Sequence, residues 1–408
     1  MQPLTSQADP VRVLFLENIH PIAVERMRSE GYEVDTVGRA LDEDELIAKL
    51  DGVHLLGIRS KTQVNADVLA SAPQLRAIGA FCIGTDQIDL RGAAESGIAV
   101  FNAPFSNTRS VVELAIAEII ALTRRLTDKN ADMHNGVWNK DAEGSHEIRG
   151  RAIGIVGYGN IGTQLSVLAE NLGLRVYFYD TSEKLALGNA VRCNSLDELL
   201  EVADIVTLHV DGRPGNSGFF GEEQFARMRP HSIFLNLSRG FVIDHDALRR
   251  HLDNGHLAGA AVDVFPKEPK AKGDEFVSAL RGLPNVILTP HIGGSTEEAQ
   301  SDIGSFVAEK LHKYIAEGST TLSVNLPSLN LQQLPDTHRI ALLHHNVPGV
   351  LADVNSIFAG HKVNVEGQIL ATRGEYGYLL SDIAVNYPQE ILTQLAGMAT
   401  TVQLRVLS

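Results

Sequence analysis

The hydrophobic positions in the first hundred residues alternate between two patterns. Short apolar runs, typical of buried strands, are separated by stretches in which apolar residues recur at helical spacing. The apolar runs predict strands at residues 11–16, 32–37, 53–58, 75–81 and 99–102. The intervening pattern predicts helices at 21–29 and 41–49. Strands that alternate with helices favour a parallel sheet covered on both faces.

The same alternation continues through the middle of the chain. A long helix is predicted at 111–125, where Asn107 or Ser110 can serve as the N-cap. Further strands are predicted at 153–156, 176–179, 205–210, 232–237, 257–264 and 286–288. Further helices are predicted at 222–228, 246–254 and 296–317. We expect the last of these helices to return to the first region, which would make that region discontinuous and leave a cleft between two lobes.

The pattern changes after residue 319. Residues 319–337 are rich in Ser, Asn, Gln, Leu and Pro, and we interpret them as a linker. Beyond the linker, strands are predicted at 339–344, 363–370, 378–385 and 402–407, with helices at 349–358 and 389–398. This βαββαβ order is typical of a ferredoxin-like domain. The expected fold is therefore α/β, with two Rossmann-like or flavodoxin-like parallel-sheet lobes and a small C-terminal ferredoxin-like domain.

Composition limits the possible partners. The net charge of −15 disfavours a nucleic acid or an anionic membrane surface as a partner. No apolar run approaches the length of a membrane-spanning helix, and the first ten residues lack the basic-then-apolar order of a secretory signal. The two cysteines, Cys82 and Cys193, have neither disulfide-framework nor zinc spacing. We expect a cytoplasmic protein.

The stretch 151–180 predicts a dinucleotide site. Its glycine turn, Gly157 to Gly162, lies between a predicted strand and a predicted helix, and the following strand ends at Asp180. Gly157 permits the tight turn, Gly159 lets backbone approach a diphosphate, and Gly162 lets the helix pack on the strand. The diphosphate would lie at the helix N-terminus. A carboxylate at Asp180 suits ribose hydroxyls and repels a 2′-phosphate, which favours NAD over NADP.

The chain resembles the D-isomer-specific 2-hydroxyacid dehydrogenase family, in the short bacterial form that carries a C-terminal ACT domain. The resemblance runs nearly end to end, and its most specific segments lie at 78–90, 101–118, 136–140, 154–165, 236–240, 257–269 and 288–300. His231 departs from it, because this family usually has glycine there. The resemblance implies a substrate-binding domain (1–106 with 295–335), an NAD-binding domain (107–294) and an ACT regulatory domain (336–408).

The resemblance also implies the active-site residues. The catalytic trio would be Arg239, Glu268 and His291. An imidazole suits proton transfer, a carboxylate can fix its tautomer, and a guanidinium can hold a substrate carboxylate. The expected contacts to NAD are Gly157, Gly159, Asn160, Ile161, Gly162, Asp180, His209, Leu237, Ser238, Arg239, Asp263, His291, Gly293 and Gly294.

The reaction implied is NAD-dependent oxidation of 3-phospho-D-glycerate to 3-phosphooxypyruvate, the first step of L-serine biosynthesis. Arg59, Ser60, Asn107 and Lys140 are the expected substrate contacts, although Lys140 and Arg39 could equally be solvated surface charges. One alternative is another 2-hydroxy acid, such as 2-hydroxyglutarate. A second alternative is an NAD-sensing binding protein.

Regulation is expected at the C-terminal domain. Asn346-Val347-Pro348-Gly349 lies where a helix is predicted to begin, and the free N–H groups there could hold the carboxylate of L-serine. In the resembling family, positions equivalent to Asn346 and Asn364 contact the effector, with Val347 beside them; the alternative is purely local hydrogen bonding. The resemblance suggests a homotetramer. His344 and His345 are adjacent in a predicted strand and point to opposite faces, which disfavours a metal site.

Overall fold

A computed structural model describes residues 10–269, 273–332 and 334–407. Residues 1–9, considered above for a signal, and Gln333 of the expected linker lie outside these ranges. Contacts divide the chain into two compact units, Met1–Pro104 with Gln300–Ser408, and Phe105–Ala299. The division into three domains therefore stays a prediction.

The first unit contains a parallel sheet of five strands in the order β2-β1-β3-β4-β5. The strands are β1 (Arg12–Leu16), β2 (Glu33–Val37), β3 (Leu55–Ile58), β4 (Ala77–Ala80) and β5 (Ala99–Asn102). The helices between them are α1 (Pro21–Ser29), α2 (Glu43–Lys49), α3 (Ala66–Ser71) and α4 (Leu90–Glu95). Every residue of β3, β4 and β5 is buried, as expected for strands covered on both faces.

The second unit is built on a parallel sheet of seven strands in the order β12-β11-β10-β9-β6-β7-β8. The strands are β6 (Ala152–Val156), β7 (Arg175–Tyr179), β8 (Val191–Arg192), β9 (Ile205–Leu208), β10 (Ser232–Asn236), β11 (Leu257–Val262) and β12 (Val286–Leu288). The helices are α5 (Thr108–Thr123), α6 (Leu126–His134), α7 (Asn160–Asn171), α8 (Leu196–Val202), α9 (Glu222–Arg227) and α10 (His245–Asp253). The first and second halves of this sheet meet at β6 and β9. The ends of these strands are where such sheets bind ligands.

The predicted long helix is present as α5, and it differs from the prediction in two details. The long helix ends at Thr123 rather than Arg125, because Arg125 adopts a left-handed backbone (φ 51°) and a second helix, α6, starts immediately after it. Asn107 occupies the N-cap of α5, but neither it nor Ser110 makes a side-chain capping bond.

His231 has a φ of 62°, a left-handed conformation that glycine adopts without strain. In a histidine this conformation costs about 1–2 kcal/mol.

Helix α11 (Glu297–Glu317) follows, and its apolar side chains share one core with the five-stranded sheet. A four-stranded antiparallel sheet then forms in the order β14-β15-β13-β16. Its elements are β13 (Thr337–His345), α12 (Val350–Gly360), β14 (Val365–Arg373), β15 (Tyr376–Ala384), α13 (Glu390–Ala396) and β16 (Thr401–Leu407). The predicted fold class, two parallel-sheet lobes and a βαββαβ domain, is confirmed.

The antiparallel sheet is held to the end of α11 by buried polar contacts. Ile340 and Leu342 of β13 face α12 and α13, whereas Ala341 and Leu343 face the core shared with α11. Arg339 forms a fully buried ion pair with Asp382 and also donates to the carbonyl of Glu317.

A second arginine reaches the same helix end. Arg405 donates to the carbonyls of Tyr314 and Ile315 at 3.0 and 3.1 Å, and the hydroxyl of Tyr378 donates to the carbonyl of Gly318 at 2.8 Å. The carbonyl groups at the end of a helix otherwise lack partners, so these three side chains cap α11.

Candidate active site

His291 and Glu268 form a hydrogen-bonded pair in the second unit. His291 Nδ1 lies 3.1 and 3.0 Å from Oε1 and Oε2 of Glu268. The histidine follows β12 and the glutamate follows β11, two strands that pair side by side in parallel. Both residues therefore emerge at the carboxyl edge of the sheet. The two side chains remain about two-fifths exposed, which leaves room for a ligand.

The pair alters the proton affinity of both groups. The hydrogen bond to Glu268 raises the pKa of His291 above its usual value, although burial acts in the opposite direction. Burial would raise the pKa of Glu268, but the hydrogen bond and positive charge of His291, with a smaller effect from Arg239, lower it overall. The result is a carboxylate that stabilises a protonated imidazole.

A buried carboxylate organises the backbone around His291. Asp263 accepts hydrogen bonds from the Thr289 hydroxyl and the amide of Ile292 at one oxygen, and from the amide of Gly293 at the other, at 2.6–2.8 Å. His291 itself has a left-handed backbone (φ 56°). An unfavourable backbone at a functional residue persists only where surrounding contacts fix it, and Asp263 supplies those contacts.

Arg239 is positioned by Asn236 at the end of β10. The side-chain oxygen of Asn236 accepts from the amide and hydroxyl of Ser238, and its amide group donates to the carbonyl of Arg239. Arg239 donates to the carbonyl of Ser238 at 2.8 Å and is only partly buried. Its charge is close enough to lower the pKa of Glu268, so the three expected catalytic side chains share one electrostatic environment.

The glycine turn has the shape needed for a diphosphate. Gly157 has a φ of 92°, and a Cβ there would lie 2.6 Å from the carbonyl of His209. A Cβ on Gly162 would overlap the carbonyl of Gly157. Gly159, by contrast, is exposed and has open space around it, and it caps α7 without any side-chain acceptor in the part of the chain that the structure describes. The first-turn amides of Asn160, Ile161 and Gly162 are therefore available to an anion.

Asp180 supports the same turn from the end of β7. One carboxylate oxygen accepts from the amide of Tyr158 at 2.9 Å, and the other accepts from the amide of Ser182 at 2.8 Å. Each oxygen keeps a further lone pair that can accept from a ribose hydroxyl. This turn, the uncapped helix and the carboxylate fit an NAD molecule.

The remaining expected cofactor residues lie at the ends of neighbouring strands. His209 follows β9, with Nε2 2.9 Å from the hydroxyl of Thr207, and burial lowers its pKa to about 4. Leu237 and Ser238 follow β10 and are buried. Gly294 is packed against Asn107, whose side-chain oxygen is buried without a hydrogen-bond partner among the described residues.

The expected substrate residues lie in both units. Arg59 and Ser60 follow β3 in the first unit, and Asn107 begins α5 in the second. Lys140 is exposed in the loop after α6. The guanidinium of Arg39 forms a two-pronged ion pair with Glu45 at 2.6 and 2.7 Å, which favours its interpretation as a surface charge.

The expected effector residues are not brought together within one chain. Asn346 follows β13, at the end where His345 pairs with Tyr376, and donates to the carbonyl of Gly374. Asn364 precedes β14, at the end where Val365 pairs with Ile383, and donates to Glu366. Tyr376 and Ile383, which mark these two ends, are seven residues apart along β15. This spacing corresponds to about 23 Å at about 3.3 Å per residue.

Sequence reasoning missed three polar residues with clear local roles, Asn236, Glu17 and Gln87, and one buried carboxyl group, Glu118. Asn236 orients the turn that carries Arg239, and Glu17 and Gln87 bind the backbone of the loop that carries Arg59. Glu118 of α5 is buried, and neither carboxyl oxygen has a hydrogen-bond partner among the described residues. Only the fold places these residues beside their partners, and no local sequence signal identifies them.

Within the described residues, no group of three or more His, Cys, Asp or Glu side chains is arranged to hold a metal ion. None of the helices in the described ranges is long and apolar enough to cross a membrane.

Family models match two parts of the chain. Residues 116–293 match the NAD-binding domain of D-isomer specific 2-hydroxyacid dehydrogenases. Residues 340–403 match an ACT domain of the type found in the AHAS small subunit.

Similar proteins cover the whole chain. A D-3-phosphoglycerate dehydrogenase of Dictyostelium discoideum is 46% identical over 408 residues, and one of Escherichia coli is 46% identical over 410 residues; both alignments cover 100% of each chain. A crystal structure of a Thermus thermophilus protein has a TM-score of 0.68 and 31% identity, covering 74% of this chain and 96% of that one. A D-lactate dehydrogenase of Aquifex aeolicus, solved with NAD and lactic acid, has a TM-score of 0.67 and 25% identity, covering 74% and 95%.

The glycine turn and the His291–Glu268 pair indicate the same family as the full-length relatives. The chain belongs to the D-isomer specific 2-hydroxyacid dehydrogenase family, in a form with an ACT domain, and is an NAD-dependent oxidoreductase.

Proposed function

We propose that the protein oxidises 3-phospho-D-glycerate to 3-phosphooxypyruvate with NAD, the first step of L-serine biosynthesis, in the cytoplasm. The observation that carries the proposal is the His291–Glu268 pair beside Arg239, in a chain whose full-length relatives are named D-3-phosphoglycerate dehydrogenases.

Oxidation removes a hydride from C2 of the substrate and a proton from its hydroxyl group. Bound NAD supplies the hydride acceptor. With its Nδ1–H donated to Glu268, His291 presents an unprotonated Nε2 that can take the hydroxyl proton as the carbonyl forms. Glu268 stabilises the imidazolium that results. In the reverse direction the same imidazolium returns the proton to the carbonyl oxygen.

Arg239 would orient the substrate. Its planar guanidinium can hold the carboxylate through two parallel hydrogen bonds, which fixes C2 relative to His291. The buried Asn236 side chain holds the turn that carries Arg239, so this geometry exists before the substrate arrives.

The phosphate needs separate cations, because the chain carries a net charge of −15. We assign the cation to Arg59 and further hydrogen bonds to the hydroxyl of Ser60 and the side-chain amide of Asn107. Lys140 is exposed on a loop, from which it could contribute to the site of a neighbouring subunit. Arg39 is not included, because Glu45 already occupies its guanidinium.

The test compares two substrates in the reductive direction. We expect kcat/KM with NADH to be much higher for 3-phosphooxypyruvate than for 2-oxoglutarate. A preference for 2-oxoglutarate would assign the enzyme to 2-hydroxyglutarate, and no turnover of either would favour an NAD-sensing binding protein.

We also propose that L-serine binds the ACT domain and inhibits the enzyme. Gly349 (φ 101°) begins α12, and among the described residues no side chain caps that helix, so its amides can hold a carboxylate. Asn346 and Val347 lie exposed immediately before it. The amide of Asn346 can serve the ammonium or hydroxyl group of serine.

The sheet geometry indicates how Asn364 could complete this site. β14 is an edge strand. If two ACT domains pair through their β14 edges about a two-fold axis, the strands run antiparallel, and the start of one β14 lies beside the end of the other. The end of β14 is level with the end of β13, through the pairs Arg373–Tyr376 and His345–Tyr376. Asn364 of the partner subunit would then lie at the same end of the sheet as Asn346.

This pairing, together with a second interface between nucleotide-binding domains, would give the homotetramer expected for the family. Trp138, with 79% of its surface exposed, is available for the second interface. Light scattering at micromolar concentration tests the assembly, and a monomer would contradict both the tetramer and the two-chain serine site.

A further inference from the structure

The loop after β3 directs its backbone inward rather than toward a ligand. The carboxylate of Glu17 accepts hydrogen bonds from the amides of Arg59, Lys61 and Thr62, at 3.3, 3.1 and 2.9 Å. Glu17 is only 8% exposed and lies 42–45 residues earlier in the chain, at the end of β1. One buried carboxylate therefore holds three amides of a four-residue loop.

An unfavourable backbone conformation aims this carboxylate at the loop. Glu17 and Asn18 are consecutive non-glycine residues in the left-handed region, with φ angles of 61° and 54°. Such a pair persists only where other contacts fix it. The side-chain amide of Asn18 supplies one of them, because it donates to the carbonyl of Gly38 at 2.7 Å.

The other side of the loop is held by Gln87. Its amide nitrogen donates to the carbonyl of Arg59 at 2.6 Å, and Gln87 is also buried. The backbone of Arg59 is thus bonded at its amide by Glu17 and at its carbonyl by Gln87. The side chain of Arg59 is half-buried, whereas Ser60 is exposed.

This arrangement is the reverse of the glycine turn at 157–162. There the first-turn amides are open to an anion; here Glu17 binds the amides of Arg59, Lys61 and Thr62, so recognition of an anion falls mainly to side chains. A buried carboxylate behind the loop also repels an anion that approaches the backbone. An anion at this loop would meet the guanidinium of Arg59, the hydroxyl of Ser60 and the ammonium of the exposed Lys61. Of these residues, Arg59 is bonded through both its amide and its carbonyl.

We infer that Glu17 is a positioning residue for substrate selection: by binding the loop amides it fixes Arg59 and Ser60 as the groups that recognise the substrate's phosphate. The inference rests on the proposed function, which assigns the phosphate to these two residues. It adds that selection of a phosphorylated substrate depends on a buried carboxylate that does not touch the substrate.

The main test is Glu17→Gln. The carboxamide keeps the size of the side chain, but its NH2 group meets amide donors that need an acceptor. We expect KM for 3-phosphooxypyruvate to rise about ten- to hundredfold. The kcat at saturation and the Kd for NADH should stay within about twofold, because the catalytic trio and the glycine turn are unchanged. The kcat/KM for hydroxypyruvate, which lacks the phosphate, should change little.

Two further variants separate positioning from a general structural role. Combined with Arg59→Ala, Glu17→Gln should add little to the rise in KM, because it acts through Arg59. Glu95→Gln, which removes an exposed partner of Arg91 in the same unit, is the matched control and should leave KM unchanged. Glu17→Asp keeps the charge and should give an intermediate KM; it carries the test if Glu17→Gln does not fold.

The outcomes of the inference and of the proposed function can be told apart. If the wild type does not reduce 3-phosphooxypyruvate, the proposed function fails. If the wild type does so, the inference is overturned by an unchanged KM in Glu17→Gln, by equal losses with both substrates, or by additive effects with Arg59→Ala.

Discussion

At the residue scale, His291 is the proposed proton-transfer group. We expect His291→Ala to lower kcat by about 10²–10⁴, the usual contribution of a general acid–base group. Binding of NADH, measured by fluorescence titration, should change little, because most of the expected contacts to NAD, including the glycine turn and Asp180, are unchanged by the substitution. A variant with wild-type kcat would exclude His291 from this role.

The proposed role of Glu268 includes setting the pH range over which His291 is protonated. Because the hydrogen bond to Glu268 raises the pKa of His291, the protonated form needed for reduction persists above pH 6.5 and is lost as the pH rises through the higher value. In Glu268→Gln the carboxylate is absent, so the falling limb of kcat/KM for reduction should move to lower pH. The pH profiles of the two proteins test this, and coincident limbs would refute it.

Glu118 makes a separate pH-dependent contribution to stability. Burial, with a smaller effect from Asp263, raises its pKa from 4.5 to about 8. Between these pH values the unfolded chain loses this proton while the folded chain keeps it, so the contribution of Glu118 to the free energy of unfolding falls by about 1.4 kcal/mol per pH unit as the pH rises. As the pH rises from 4.5 to 8, the melting temperature of Glu118→Gln should therefore rise relative to that of the wild type.

Glu113→Gln provides the control for this measurement. Glu113 lies on the same helix but is exposed and paired with Arg109. The difference between its melting temperature and that of the wild type should be constant over the same pH range. A constant difference for Glu118→Gln as well would contradict the raised pKa of Glu118.

At the element scale, the β6–α7–β7 unit determines cofactor preference. Asp180→Asn keeps an acceptor for the amide of Tyr158 but removes the charge that repels a 2′-phosphate. The ratio of kcat/KM for NADH over NADPH should fall by about tenfold or more. Asp180→Ala should lower it as well and also weaken NADH binding, because the glycine turn loses its support. The exposed Glu183→Gln is the control, and an unchanged ratio in Asp180→Asn would assign ribose recognition to another residue.

The sequence pattern predicted most of these elements, because continuous apolar runs and helical spacing are local signals. It missed α3, α4 and α8, which are six or seven residues long, since so short a periodic stretch is not distinct from a loop. It ended the long helix near Arg125 and missed α6 altogether, because α6 has no buried residue and therefore shows no apolar face in the sequence. Boundaries in the ACT region differ by up to three residues.

The candidate site was predictable only where motifs are contiguous. The glycine turn is one such motif, and the family pattern supplied Arg239, Glu268 and His291. Glu17 and Asp263, by contrast, act by accepting hydrogen bonds from backbone amides of residues 29–45 positions away. A carboxylate in a sequence does not reveal which amides it will meet, so these two roles require the folded structure.

At the scale of the whole molecule, serine sensitivity should depend on residues from two chains. Titration of L-serine should inhibit the wild type, incompletely if the coupling is about 1–3 kcal/mol, and should inhibit Asn346→Ala and Asn364→Ala much less. A wild type that ignores millimolar serine would refute the effector site. If both variants were inhibited as strongly as the wild type, Asn346 and Asn364 would not form the effector site.

Hybrid assemblies can show that the site is shared. A pair of chains carrying Asn346→Ala on one and Asn364→Ala on the other retains one intact two-chain site and should remain sensitive. A pair of one wild-type chain and one double variant retains none and should lose sensitivity. The opposite result would place the whole site within one chain.

The ion pair of Arg339 with Asp382, which helps to cap α11, is less exposed to solvent than most ion pairs of this protein. The Arg339–Asp382 pair is fully buried, whereas Arg39, Arg91, Arg109 and Arg213 pair with carboxylates at the surface. Dissolved ions screen exposed charges over about 8 Å at physiological ionic strength but reach buried ones far less. Raising the salt concentration should therefore weaken capture of an anionic substrate well before it loosens the ACT sheet from α11, so that salt affects KM and leaves this joint intact.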